Sequence, residues 1–387
     1  MSKKVHKIIY ATGSRADYGI VRRYLSLLNS DESVDLSIAV TGSLLDPRYG
    51  SQVSLIEVDG FRIAARLPIP LDTSSNVGVS HAMSAALEKF SQFLFDETPD
   101  LLIILGDRYE MLSVAIAAAM QAIPILHIHG GEATFGNYDE FIRHSITKMS
   151  RFHFTSTEEY RRRVVQLGEN PLSVFNLGAL GAENCLDVNE ARVPEEVLGY
   201  AERAYAVVLF HPETLSEADP AEQTDELLSA CEAHSELDYV FIGSNADTSS
   251  DRVRKRIYEY ASSHSGSKYY ENLNPDAYHY LVSHSAFLIG NSSSGLIEAP
   301  TLGVYSINIG NRQAGRVRGS SVVDAPCRAN DIADAIRKVL DAPKPKRHDN
   351  PYYQPNCAQR YYHSTMRIVS YLDKHDLQPK QFYDLPS

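Results

Sequence analysis

Leu101-Leu102-Ile103-Ile104-Leu105-Gly106-Asp107-Arg108-Tyr109-Glu110 is the stretch that decides the fold. Five apolar residues without polar alternation suit a strand buried on both faces of a parallel sheet, and the polar residues that follow mark its end. The same grammar recurs on either side. Ile8–Ala11, Leu36–Val40, Ile125–Ile128 and Val174–Leu177 form one series, and Tyr205–Phe210, Tyr239–Ile242, Phe287–Ile289 and Val304–Ile307 form a second. Between them run stretches with helical apolar spacing, such as Val79–Phe95 and Asp331–Leu340. Alternation of this kind predicts an α/β fold with parallel sheets.

The charged, Pro-containing stretch Ala182–Ala204 separates the two series and reads as an interdomain connection. The expected organisation is a first α/β domain over 1–181, a second over 182–349, and a tail over 350–387. The tail holds a helix near Gln359–Lys374 that packs back on the first domain. Two such domains would face each other across a cleft, and parallel sheets bind ligands beyond the carboxyl ends of their strands.

Composition narrows the function classes. The chain has 387 residues, with 37 Lys+Arg against 49 Asp+Glu and a net charge of -12. An acidic chain is a poor candidate for coating nucleic acid, although a few local cations still suffice for a small anion. Cys185, Cys231, Cys327 and Cys357 are far apart, which suits a reducing cytoplasm better than a disulfide or zinc framework. No run approaches the roughly 18 apolar residues of a membrane span, and the N-terminus lacks a signal-peptide core.

The strand ends carry the chemistry. Ala11-Thr12-Gly13-Ser14-Arg15-Ala16-Asp17-Tyr18-Gly19 is a small-residue turn with a cation, which fits an anion contact or an ordinary βα turn. It is not the GxGxxG of a dinucleotide site. Asp107 follows its strand directly, as a helix cap or as a cleft-facing acid or base. In His127-Ile128-His129-Gly130-Gly131-Glu132, period 2 places both His on one strand face, a weak metal pattern beside which polar catalysis is favoured. Asn137–Met149 reads as a helix with Asp139/Arg143 and Glu140/His144 at i,i+4, either as surface pairs or with Asp139 and Arg143 facing Asp107 and Glu132.

In the second series, His211 ends a strand as a core residue or as a donor to a leaving group. Ser244-Asn245-Ala246-Asp247 ends the next. Ile289-Gly290-Asn291-Ser292-Ser293-Ser294-Gly295 leads into a helix, and a serine cluster there predicts a phosphate cradle. Glu298 is placed to accept ribose hydroxyls, and Arg312, Arg316 and Arg318 form a cationic cluster suited to a diphosphate.

Taken in order and in register, these motifs resemble the hydrolysing UDP-N-acetylglucosamine 2-epimerases of bacterial sialic-acid and surface-polysaccharide synthesis, over nearly the whole chain. The resemblance implies a GT-B architecture, a cytoplasmic homo-oligomer (dimer or tetramer), a UDP-sugar substrate, and no cofactor or catalytic metal. It implies acid/base roles for Asp107, Glu132 and Asp139, with Arg143 and His211 at the sugar and diphosphate. It places Arg15, Arg108, Asn245, Ser292, Ser293, Glu298 and Arg312 on the nucleotide side. Non-hydrolysing relatives carry a carboxylate where this chain has His129, a departure that Glu132 is expected to cover. Two alternatives stand beside this reading: the same chemistry on UDP-2,4-diacetamido-2,4,6-trideoxyglucose, and a GT-B glycosyltransferase.

Overall fold

The computed structural model describes residues 4–50, 52–72, 75–133, 138–211, 219–243, 250–375 and 378–385. The chain divides into two compact units, 1–132 with 138–180 and 356–387, and 133–137 with 181–355.

The first unit is built on seven parallel strands: β1 His6–Thr12, β2 Val34–Val40, β3 Ile63–Arg66, β4 Leu101–Leu105, β5 Ile125–Ile128, β6 Phe152–Thr155 and β7 Val174–Asn176. Their order is β3-β2-β1-β4-β5-β6-β7. Alternate residues of one strand serve opposite layers, which is why the strands read as unbroken apolar runs. Ile8, Tyr10, Leu101 and Ile103 pack beneath the Arg15–Asn29 and Cys357–Leu372 helices. Ile9, Ala11, Leu102 and Ile104 pack beneath the Asn76–Glu97, Tyr109–Met120 and Asp139–Met149 helices. Each of these Ile and Leu side chains, fully buried, stabilises the fold by about 1.5–3 kcal/mol.

The terminal helix is part of this core. Tyr361 is fully buried and donates to Gly178 O at 2.9 Å, and the Tyr24 and Thr365 hydroxyls meet at 2.7 Å. Beyond it, Lys380 donates to Lys148 O and Ser150 O, each at 2.7 Å, and so caps the end of the Asp139–Met149 helix.

The second unit has six parallel strands: β8 Tyr205–Leu209, β9 Asp238–Ile242, β10 Lys268–Tyr270, β11 Phe287–Gly290, β12 Tyr305–Ile309 and β13 Val322–Ala325, in the order β10-β9-β8-β11-β12-β13. Residues 182–204, which read as a connection, are short helical turns that add Val193, Val197 and Tyr200 to this unit's core. Their charged neighbours mask a short apolar spacing. Both sheets reverse their winding once, at β1/β4 and at β8/β11, and those switch points are where a doubly wound sheet opens to a ligand. Among the described residues, no helix is long and apolar enough to cross a membrane.

Candidate active site

In the first unit Asp107 and Glu132 follow the ends of β4 and β5. Asp107 does not cap a helix: the next helix begins at Tyr109 after Arg108, without a side-chain cap. The Asp107 carboxylate instead forms a close ion pair with Arg143, from the Asp139–Met149 helix. Arg143 is only 2% exposed, and its Nη1 also donates to the Glu132 carbonyl at 2.9 Å. A buried guanidinium needs such partners, and here they are one proposed acid/base carboxylate and the main chain of another. Arg143 thus reaches beyond its own helix and also lies 3.9 Å from Glu140 within it, and Glu140 meets His144 at 3.2 Å as the i,i+4 pair.

The Glu132 loop is held from several sides. Ser156 Oγ donates to Glu132 Oε1 at 2.8 Å, Arg163 Nη1 donates to Gly131 O at 2.6 Å, and His129 Nδ1 lies 3.7 Å from Glu132 Oε1. His129 is left-handed, with φ +65°, an uncommon state for a residue with a Cβ. This turn corrects the expectation of two His on one strand face: β5 ends at Ile128, and period 2 ends with it. His127 stays in the core. Its Nε2–H donates to Gly106 O at 2.8 Å, its Nδ1 accepts from Thr147 Oγ1 at 3.1 Å, and burial pushes its pKa down to about 3. Among the described residues, no three His, Cys, Asp or Glu side chains are grouped to hold a metal.

Asp139 opens its helix, and the hydroxyl of the preceding Tyr138 is raised by burial and then by the Asp139 charge. Arg15 is exposed at the start of the helix whose cap is Ser14. Arg108 is tied by Nε to Glu110, which is fully buried, and the same Nε lies 4.0 Å from Asp17. One cation thus serves a buried and a part-buried carboxylate. Burial lifts Asp17 to about 6 even though Arg108 pulls it down. Neither Glu110 nor Asp17 was singled out from sequence. The signal lies in the opposing Gly13 and Gly42, where a Cβ on either would collide with the Glu110 carboxylate or its surroundings.

In the second unit, His211 follows β8, and the serine loop follows β11, on the two sides of the switch point. Asn245 lies outside the described residues, as do 212–218. Burial, and then the Arg312 charge, lower His211 to about 4, so at neutral pH it offers an N–H rather than a charge. Arg312 Nη1 donates to Asn291 O at 3.0 Å. Ser293 occupies the N-cap position without a side-chain cap bond, and Ser292 Oγ accepts from Ser294 N at 3.4 Å. The helix they open is shorter than expected, Ser294–Ile297 followed by Ala299–Leu302, so its dipole contributes less than the serine and backbone donors themselves.

Glu298 sits at the junction of the two turns. Ser294 Oγ donates to its carboxylate and His279 Nε2 lies 3.7 Å away. Burial works to raise this carboxyl, but His279 and Ser294 outweigh it and hold it below its ordinary value. The cationic cluster resolves unequally. Arg318 is committed to Asp324 at 3.0 Å and to the Gln313 carbonyl at 3.1 Å, which leaves it a structural role.

Two doubly wound units, each with polar side chains at the carboxyl ends beside its switch point, define a GT-B-type α/β protein. The chain belongs to the UDP-N-acetylglucosamine 2-epimerase family, whose model matches residues 26–365, and it is an enzyme of that family. An Escherichia coli protein described as polysialic acid biosynthesis protein P7 is 46% identical, covering 98% of each chain. A Legionella pneumophila UDP-N,N'-diacetylbacillosamine 2-epimerase (hydrolyzing) is 34% identical, over 92% of this chain and 95% of its own. Among solved structures, S. aureus MnaA with UDP superposes with a TM-score of 0.79 at 17% identity, over 98% of this chain and 100% of that one.

Proposed function

We propose that this protein is a hydrolysing UDP-N-acetylglucosamine 2-epimerase that converts UDP-N-acetylglucosamine and water to N-acetylmannosamine and UDP, for sialic-acid synthesis. The observation that carries the reading is the buried Arg143, which joins the Asp107 carboxylate to the main chain of Glu132. Acid/base work at one carbon needs carboxylates held in fixed relation, and a shared guanidinium provides that.

The C2 proton of a sugar is not acidic, so it leaves as the C1–O bond to UDP breaks. One carboxylate takes the proton, the electron pair forms the C1=C2 double bond of 2-acetamidoglucal, and UDP carries away the C1–O electrons. A proton then returns to C2 from the opposite face while water adds at C1. Asp107 and Glu132 are assigned the proton transfers, with Asp139 in support. Arg15, Arg108, Ser292, Ser293, Arg312 and a neutral His211 are assigned to the diphosphate side, Asn245 to the nucleotide, and Glu298 to the ribose hydroxyls. Glu298 is suited to that role because it is kept ionised.

The E. coli relative's polysialic acid name and the Legionella relative's hydrolysing activity support this reading. The second of these favours one alternative substrate, UDP-2,4-diacetamido-2,4,6-trideoxyglucose. We place the enzyme in the cytoplasm as a homo-oligomer, a dimer or tetramer to be sized by light scattering. The deciding experiment supplies each UDP-sugar without an acceptor, in heavy water. Free N-acetylmannosamine with deuterium at C2 is the expected product. UDP-N-acetylmannosamine would indicate the non-hydrolysing reaction. Turnover only with an acceptor would indicate a transferase.

A further inference from the structure

We propose that Asn291 is a positioning residue for the diphosphate side of this site, with its side chain fixing His211 and its main chain fixing Arg312. The proposal rests on the UDP-sugar reading above and adds a residue to which no role has been given.

Asn291 is fully buried immediately after β11. Its N–H donates to Leu209 O at 3.3 Å, which continues the contact between β8 and β11. Beyond that point its side chain takes over from the strand ladder. Oδ1 accepts the His211 N–H at 2.8 Å, and Nδ2 donates to the His211 carbonyl at 2.8 Å. These two bonds close a ring between the side-chain amide and the backbone of His211. The Asn291 carbonyl accepts from Arg312 Nη1 at 3.0 Å and from Gln313 Nε2 at 2.9 Å. One residue therefore joins the segment after β8, the serine loop after β11 and the loop after β12.

The side-chain chemistry at this position is restrictive. The ring needs an acceptor and a donor on one short, planar group, which asparagine has. Ionised Asp lacks the donor, Ser is too short to make both bonds, and Gln adds a methylene. Gly290 just before it fits this close approach: its φ is +149°, and a Cβ there would collide with the Leu209 carbonyl. The result is a neutral donor and a cation held side by side, since Arg312 is near enough to lower His211 after burial has done so. A leaving diphosphate calls for that pair to be in place before its charge develops.

The test uses the full chain, with UDP as probe, in calorimetry and in turnover. Asn291→Ala is expected to weaken UDP binding at least tenfold, and Arg312→Ala to do the same. Combining them is expected to cost clearly less than the product of the two, because Asn291 acts partly through Arg312. Asn291→Asp provides a readout that a merely structural role would not move. When its carboxyl takes up a proton it again presents a donor to the His211 carbonyl, so its affinity deficit against wild type should shrink as pH falls from 8 to 5. The same variant carries the test if Asn291→Ala does not fold. A folded Asn291→Ala within twofold of wild type, strictly multiplicative effects, or a pH-independent Asn291→Asp deficit each overturns the proposal. Wild type that does not bind UDP at all would instead overturn the UDP-sugar reading on which it rests.

Discussion

Replacing Arg143 by Met tests whether one guanidinium organises the two carboxylates proposed for acid/base work, Asp107 and Glu132. Arg143 is 2% exposed, pairs with Asp107 and donates to the Glu132 carbonyl at 2.9 Å. Breaking a buried pair by removing one partner costs about 3–5 kcal/mol. The Asp107 side chain is 23% exposed, so water relieves part of that, and about 2–3 kcal/mol is the better figure. Loss of a charged donor from the Glu132 carbonyl adds about 1.5 kcal/mol, and the apolar Met recovers about 1 kcal/mol of it. The net is about 3 kcal/mol, or a melting shift of roughly 6–12 °C for a unit of this size. Turnover should fall about 100-fold or more, because Asp107 and the Glu132 loop lose their common anchor. Arg143→Lys keeps the charge without the fork and should lie between the two. Thermal melting, UDP release, and hydrogen exchange of peptides covering 101–108 and 139–149 provide the readouts. An Arg143→Met protein that melts within 2 °C of wild type and keeps more than half its turnover would refute the reasoning.

Three further outcomes follow from particular contacts. Asp17 holds its proton up to about pH 6, above its unfolded value of 3.8, so stability should fall as pH rises between these values. Asp17→Asn should remove that slope in urea melts and raise stability at pH 7.5, by at most about 3 kcal/mol. Gly131 has φ +80° and no room for a Cβ beside the Tyr160 carbonyl, so Gly131→Ala should destabilise by more than about 2 kcal/mol and lower kcat by shifting Glu132. Lys380 meets Glu169 at 2.6 Å and caps the helix that carries Arg143, so Lys380→Met should lower the melting temperature by several degrees, and deletion of 378–387 by more.

The sequence is legible wherever one residue type at one place has one physical meaning. The runs that became β1, β4 and β8 stand out because both faces of a parallel sheet bury them. β3, Ile63–Arg66, is a half-buried edge strand, β10 has three residues, and β6 carries His153 in its middle, so none of these shows an apolar run. In the same way, Asp107 and the serine loop can be read as strand-end chemistry, whereas what orients them cannot. His153 is tolerated in β6 because Glu169 meets it at 3.1 Å, and Arg143 is buried because Asp107 lies beyond its own helix. That Asp107 does not cap a helix is visible only in the fold, where the next helix opens at Tyr109 and the carboxylate meets Arg143 instead.

Four of the supporting contacts end on main-chain carbonyls. Arg143 reaches that of Glu132, Arg163 that of Gly131, His127 that of Gly106 and Arg312 that of Asn291. Every residue has a carbonyl, so these bonds leave no mark on the partner's identity and no spacing to find. They do set where the loops lie, because a loop past the end of a strand has lost its ladder and must satisfy its backbone otherwise. After β5 and β11 the chain meets that requirement with Arg143 and Arg312, which are themselves candidates for substrate contact. Positioning and chemistry are therefore coupled here. Substitutions of the anchors should move kcat before they unfold the unit, and those of the β3 edge should do the reverse.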